Sequence, residues 1–253
     1  MAFDRMSRAD ASDHSPCVGH CTNDEDGFCL SCRRSGDELT HWRDGAARLR
    51  QAAWARIPAE IDKAGLDVMR LPLNPDDIAE IAIETLDEGG AWAVGMSGHW
   101  AYGHDLTVDD DGVLTAVSAD GDTTITLDLS GKMRALAWAR GDRALKDGVQ
   151  NLPILIVVPR ARIKDAPATS PTTLDDGRTD LGYGLPSLRV LDDGDDLVME
   201  SLLATARMAN ASAPPPHASA LPQGASATPP DLTLPESYVL AAVLLPKGEA
   251  PLN

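Results

Sequence analysis

Apolar positions along the chain keep two registers, helical before Gly90 and mostly strand-like after it. Ala46, Leu49, Ala53, Trp54 and Ile57 are spaced three, four, one and three apart, which is one helical face. They predict a helix over Asp44–Ile57, stopped before Pro58 because proline lacks the donor that helix continuation needs. Ahead of it, Ser35-Gly-Asp-Glu38 has the form of a capping box and predicts a short helix ending near Trp42. Asn74 is a good N-cap, Pro75 suits the first helical position, and Asp76 and Asp77 suit the positive end of the helix dipole. Ile78, Ile81, Ala82, Thr85 and Leu86 line one face of that helix, and Gly89-Gly90 ends it.

Strands are expected at Ala91–Met96, Leu106–Val108, Val113–Ser118 and Thr123–Leu129. The turns Asp109–Gly112 and Ala119–Asp122 between them are rich in residues that accept positive φ, which reads as an antiparallel meander. A helix over Lys132–Leu145 and the apolar strand Ile154–Val158 follow, then a Pro/Thr/Asp loop over Ala166–Arg178 and a helix over Asp195–Met208. Ala209–Pro230 has the composition of a disordered linker, and Tyr238–Leu245 reads as a last strand. The fold class is therefore α+β: a small four-cysteine module with two short helices, followed by an antiparallel sheet packed with helices. The expected divisions are a disordered start (1–14), the module (15–57), an acidic α+β domain (58–208), the linker (209–233) and a C-terminal strand and tail (234–253).

Composition narrows the function classes. Aromatic residues are only 4% of 253, so a core must rest on Leu, Val, Ile and Ala. The net charge of −17 is uneven: residues 1–56 hold eight basic and nine acidic side chains, leaving fourteen basic and thirty acidic beyond them. A surface that acidic repels phosphate backbones and anionic lipid, which argues against nucleic-acid and membrane partners and leaves a protein partner open. The six arginines of residues 33–56 are accordingly expected as a solvated face or as a surface docked on the acidic remainder. The longest clean apolar run, Val239–Leu245, is far short of the roughly 20 residues that cross a bilayer. The opening residues carry no apolar signal region, so a cytoplasmic location with reduced thiols is expected.

That expectation decides how the cysteines are read. All four lie within sixteen residues with the spacing C-x3-C-x7-C-x2-C: Cys17, Cys21, Cys29 and Cys32. A reducing compartment argues against a structural disulfide framework, and thiolate coordination of one metal centre uses all four at once. Cys29-Leu-Ser-Cys32 has knuckle spacing, Gly19 can take positive φ in the first loop, and Asn23–Gly27 is turn chemistry that returns the second pair to the first. Four thiolates suit Zn²⁺ and suit an iron–sulfur cluster equally. His14, His20 and His41 lie nearby, but four cysteines complete the set without them.

The same residues resemble a family of small bacterial four-cysteine proteins of unknown function labelled "predicted Fe-S protein" (YdhL-like). The match runs over about residues 15–57 and rests on Ser15, Pro16, Cys17, Cys21, Gly27, Cys29, Cys32, Arg33 and Trp42. The resemblance implies an iron–sulfur centre.

Elsewhere only Gly95–His104 suggests chemistry, with His99 and His104 beside Trp100 and Tyr102 in a Gly-rich loop able to hold haem, a metal or a small molecule. Gly95-Met-Ser-Gly98 has its second Gly one residue early for a nucleophile elbow, and no Walker A loop, Rossmann glycine pattern or H-E-x-x-H is present. Asp192–Asp196 lacks calcium-loop spacing and reads as a turn leading into a helix. No catalytic constellation emerges, and the expectation is a non-enzymatic metal-binding protein with a structural or partner-docking module, or else an iron–sulfur redox or cluster-carrying protein.

Overall fold

Strand-forming residues buried on both faces make the centre of the molecule. The computed structural model describes residues 14–19, 21–129, 133–211 and 226–252. Most of the expected linker and nearly all of the expected disordered start lie outside the described residues. Helices α1 (Gly36–His41), α2 (Ala47–Lys63) and α3 (Pro75–Asp87) accompany two antiparallel sheets, so the class is α+β.

The first sheet has six strands: β1 (Val68–Arg70), β7 (Arg134–Trp138), β8 (Ile154–Pro159), β14 (Tyr238–Leu245), β2 (Ala91–Met96) and β3 (His99–Gly103), in that spatial order. Side chains alternate across it. Met69, Ala135, Ala137, Ile154, Ile156 and Leu244 join an inner core that also takes Ile57 and Ile61 of α2 and Ile78 and Ile81 of α3. Val68, Leu136, Trp138, Leu155, Val157 and Val243 form a second cluster on the outer face, capped by Val18, Leu232 and Leu252.

The second sheet has eight strands, ordered β4 (Asp105–Val108), β5 (Leu114–Val117), β6 (Thr123–Leu127), β13 (Ala204–Met208), β12 (Asp196–Ser201), β11 (Leu188–Asp193), β10 (Thr179–Asp180) and β9 (Thr172–Thr173). Ile125, Val190, Met199 and Ala206 carry its apolar face into the inner core. The expected meander therefore divides at His104: β3 stays in the first sheet and β4 begins the second.

Four expectations are corrected. The helix at Lys132–Leu145 is replaced by strand β7, whose residues are covered on both faces, and by a 3-10 turn at Leu145–Asp147. Ala, Leu and Met favour helix locally, but two-sided burial selects the strand. The helix at Asp195–Met208 is the β12–β13 hairpin, with Leu197, Met199, Ala204 and Ala206 pointing inward at period two. Helix α2 does not stop before Pro58 but carries it inside and runs to Lys63. Ile57 and Ile61, both almost fully buried, continue the apolar stripe across the proline, and burying them offsets the roughly 3 kcal/mol an interior proline costs. The Gly95–His104 segment is a tight hairpin between β2 and β3, with Gly98 at φ 81°, rather than a loop. The capping box of α1 and the Asn74 N-cap of α3 form as read, and Asp77 closes a second capping box on Asn74 that the sequence reading did not name.

Candidate metal centre

The cysteine segment holds its shape through polar contacts before any ion is considered. Asp24 caps a turn, its Oδ1 accepting from the backbone N–H of Asp26 (3.1 Å) and Phe28 (2.8 Å). Isolated bridges pair Asn23 with Cys29 and Phe28 with Ser35. The Cys29 N–H donates to the Arg34 carbonyl at 2.7 Å, and the Arg33 N–H donates back to the Cys29 carbonyl at 3.0 Å, closing the knuckle. Closure puts Arg33 in the left-handed region at φ 55°, a conformation that costs a non-glycine residue about 1 kcal/mol or more. A 2.7 Å ion pair to Asp24 and the face of the Phe28 ring, 5.4 Å away, hold it there. Helix α2 is stitched on by Arg56, which pairs with Glu38 at 2.6 Å and donates to the Arg33 carbonyl at 3.1 Å.

The first cysteine pair is held from the other side, by the sheet. Val18 is buried in the outer cluster, its carbonyl accepts from Ser237 Oγ, and the Cys17 carbonyl accepts from Arg70 Nη1 at 3.0 Å. Gly19 has φ 89°, and a Cβ there would lie 2.7 Å from the Ser237 side chain, so only glycine fits the crossing.

This arrangement brings the sulfurs together in pairs. Cys17 and Cys21 Sγ are 3.9 Å apart, close to the roughly 3.8 Å that tetrahedral Zn–S bonds would impose. The Gly19 N–H donates to Cys17 Sγ at 3.3 Å. Cys29 and Cys32 are buried and hydrogen-bonded to each other, and Cys29 lies close enough to Cys21 to act on its charge. Among the described residues, no group of three or more His, Cys, Asp or Glu side chains is arranged to hold an ion, and no disulfide joins the cysteines. The chemistry of the donors suits thiolate ligands, with the sulfurs paired as Cys17/Cys21 and Cys29/Cys32, a backbone N–H donating to Cys17 and the Arg34 cation beside Cys32, although no three of the four close on one point. His41 is exposed at the end of α1, His14 is half-buried, and His20 lies outside the described residues.

Each thiol has a different environment. Burial pushes Cys32 up to about 11. Burial also acts upward on Cys29, but hydrogen bonds from the Ser31 hydroxyl and the Cys32 backbone outweigh it and bring the thiol below its ordinary value. Cys21 is raised, first by the neighbouring Cys17 charge and then by burial.

Arg34 was not singled out by sequence reasoning, although a basic residue after the second pair was visible. It is only 5% exposed, donates from Nε to Cys32 Sγ at 3.4 Å and lies 4.7 Å over the Trp42 ring. It has no carboxylate partner among the described residues. The six arginines of residues 33–56 thus divide: Arg33, Arg34, Arg50 and Arg56 build the module, Arg50 by donating to the Trp42 and Gly45 carbonyls, whereas Arg43 and Arg48 face solvent.

His99 opens β3 and His104 follows its last residue, both exposed and roughly 16 Å apart along the strand. They do not converge on one ligand. Among the described residues no helix is long and apolar enough to cross a membrane.

Residues 15–61 match the model of a family described as "Protein of unknown function (DUF1289)". The match covers all four cysteines, α1 and α2 up to Ile61, in line with the resemblance read over residues 15–57. No curated protein and no solved structure matches the chain.

Proposed function

We propose that Cys17, Cys21, Cys29 and Cys32 bind one metal centre as thiolates, Zn²⁺ or an iron–sulfur cluster, and that the centre serves a structural role. The observation that carries this reading is Arg34. A guanidinium buried without an anion costs several kcal/mol, and among the described residues the acceptor of its Nε is the Cys32 sulfur. Neutral thiols leave that cost in place, whereas a metal–thiolate set, negative overall, removes it. Bound there, the metal would supply four strong bonds that fasten two otherwise separate anchors.

One anchor is the knuckle, tied to α2 through Arg33, Glu38 and Arg56. The other is the Cys17–Gly19 loop, tied to the six-stranded sheet through Val18, Arg70 and Ser237. The centre would close the gap between helix and sheet, and a protein partner would meet it beside Leu30, which stands 44% exposed at the knuckle tip. Thiolate ligation is compatible with a reducing compartment such as the cytoplasm.

A redox role is the second reading. It is favoured by the positive charge of Arg34 against a ligand, which lowers the cost of adding an electron.

The test is elemental analysis with a visible spectrum on protein purified without oxygen. One zinc per chain and no colour supports the structural reading, and iron with sulfide and a broad absorption band supports the redox one. A Cys29→Ser/Cys32→Ser variant that retains a full equivalent of metal would overturn the four-thiolate site.

A further inference from the structure

Strands β1, β7 and β14 bring three donor side chains to the outer face of the six-stranded sheet. Arg70 on β1 stands opposite Leu136 of β7, and Arg134 lies two residues before Leu136 on the same face. The two are diagonal neighbours, with Cβ atoms roughly 7 Å apart. Tyr238, at the start of β14, is near enough to feel both charges.

All three keep donors that no protein group accepts from among the described residues. Arg70 and Arg134 have no carboxylate partner among the described residues, although acidic side chains outnumber basic ones by 39 to 22. Arg70 Nε is buried without an acceptor, and its one hydrogen bond goes from Nη1 to the Cys17 carbonyl. Arg134 Nη1 donates only to the carbonyl of its own neighbour, Met133, at 2.6 Å. The Tyr238 hydroxyl has no partner among the described residues. Two guanidinium groups held side by side repel each other, and such a pair is stable when an anion sits between them.

We propose that Arg70, Arg134 and Tyr238 form a binding site for a tetrahedral oxyanion, the phosphate of a small phosphomonoester. Two guanidinium forks and a phenol offer more donors than a planar carboxylate can accept from at once, whereas a phosphate has an oxygen for each. Tyr238 also borders a cavity of about 500 Å³ lined by Arg160, Ser187, Thr228 and Leu232. Neither arginine lines that cavity, and Tyr238 alone borders both, so the remainder of such a molecule would reach it past Tyr238. Arg70 is shared with the metal reading, since it holds the Cys17 carbonyl, whereas Arg134 and Tyr238 make no hydrogen bond to the four cysteines among the described residues and so carry the test.

The experiment uses the full chain, titrated at constant ionic strength with inorganic phosphate and with glycerol 3-phosphate, followed by calorimetry and ³¹P line broadening. Saturable binding is expected, weakened at least tenfold in Arg134→Gln and severalfold in Tyr238→Phe, with metal content unchanged in both. Tighter binding of glycerol 3-phosphate assigns the site to a phosphomonoester, and equal or tighter binding of phosphate assigns it to the free ion. If Arg134→Gln fails to fold, Arg134→Lys keeps the charge and loses the fork, and is expected to bind more weakly than wild type. Absence of saturable binding, or binding unchanged in the Arg134 and Tyr238 variants, overturns the site.

Discussion

The hydroxyl of Ser237 donates to the carbonyl of Val18, joining residues 219 apart in sequence. Through this contact the start of the cysteine loop lies on the sheet that the C-terminal strand completes. The loop's conformation, its sulfur positions and the cover over the outer face all depend on the crossing of these two backbones.

Gly19→Ala tests that crossing. The new Cβ would need φ near +89° and would meet Ser237 at 2.7 Å, so a loss of about 1–3 kcal/mol is expected. Urea unfolding reads the loss, and faster modification of Cys17 by a thiol reagent reads the lifted loop. Unchanged stability and thiol reactivity would show that the crossing is slack.

Arg34→Gln keeps a polar side chain over Trp42 and removes the charge beside Cys32. Metal affinity is expected to fall by about 10- to 100-fold, the range for partners that support a ligand. Competition with a chromophoric chelator measures it, and an affinity equal to wild type would remove the main support for thiolate ligation.

Alkaline pH should separate the metal-free from the loaded protein. Burial raises the Cys32 thiol from 9.0 to about 11, so between those values the folded chain holds a proton that the unfolded chain has released. The stability that this contributes is fully present below pH 9 and is lost as pH rises towards 11, by about 2–3 kcal/mol for this group alone. Cys29, shifted the other way, has its contribution in place by pH 9 and leaves this loss unchanged, whereas Cys21, raised like Cys32, acts in the same direction as Cys32. A metal-bound thiolate has no proton to lose, so denaturant midpoints at pH 8 and pH 10.5 should differ in metal-free protein and agree in loaded protein. A flat profile for the metal-free form would count against burial of Cys32.

Pro58→Ala should stabilise the protein by about 1–2 kcal/mol. It restores a helical N–H inside α2 and removes the ring clash, less the entropy the unfolded chain regains. A thermal midpoint that fails to rise would mean that the proline's bend is needed to seat Ile57 and Ile61.

Much of the fold was legible wherever local chemistry and tertiary burial agree. Strands Ala91–Met96 and Tyr238–Leu245, the Ser35–Glu38 capping box, the Asn74 N-cap and the turn at Asp109–Gly112 could be read from the residues. Two stretches could not, because Met133–Trp138 and Asp196–Met208 are built from helix formers whose strand state is imposed by neighbours far along the chain. The division into two sheets is equally non-local. In the site, cysteine spacing revealed the sulfurs, while the residues that place them did not announce themselves: Arg70 is 53 residues from Cys17, and no periodicity marks it as a contact.

The order of strands in the first sheet has a consequence for synthesis. Strand β14 lies between β8 and β2, both buried along almost their whole length. While the chain is being made, those two strands have no neighbour on their facing edges until Leu245 has left the ribosome. From the synthesis of β8 until that point the nascent protein carries two apolar, hydrogen-bond-hungry edges separated by a gap one strand wide. Its sheet therefore closes after release of residues 238–245 rather than domain by domain, and a chaperone that shields strand edges would act on it during that interval.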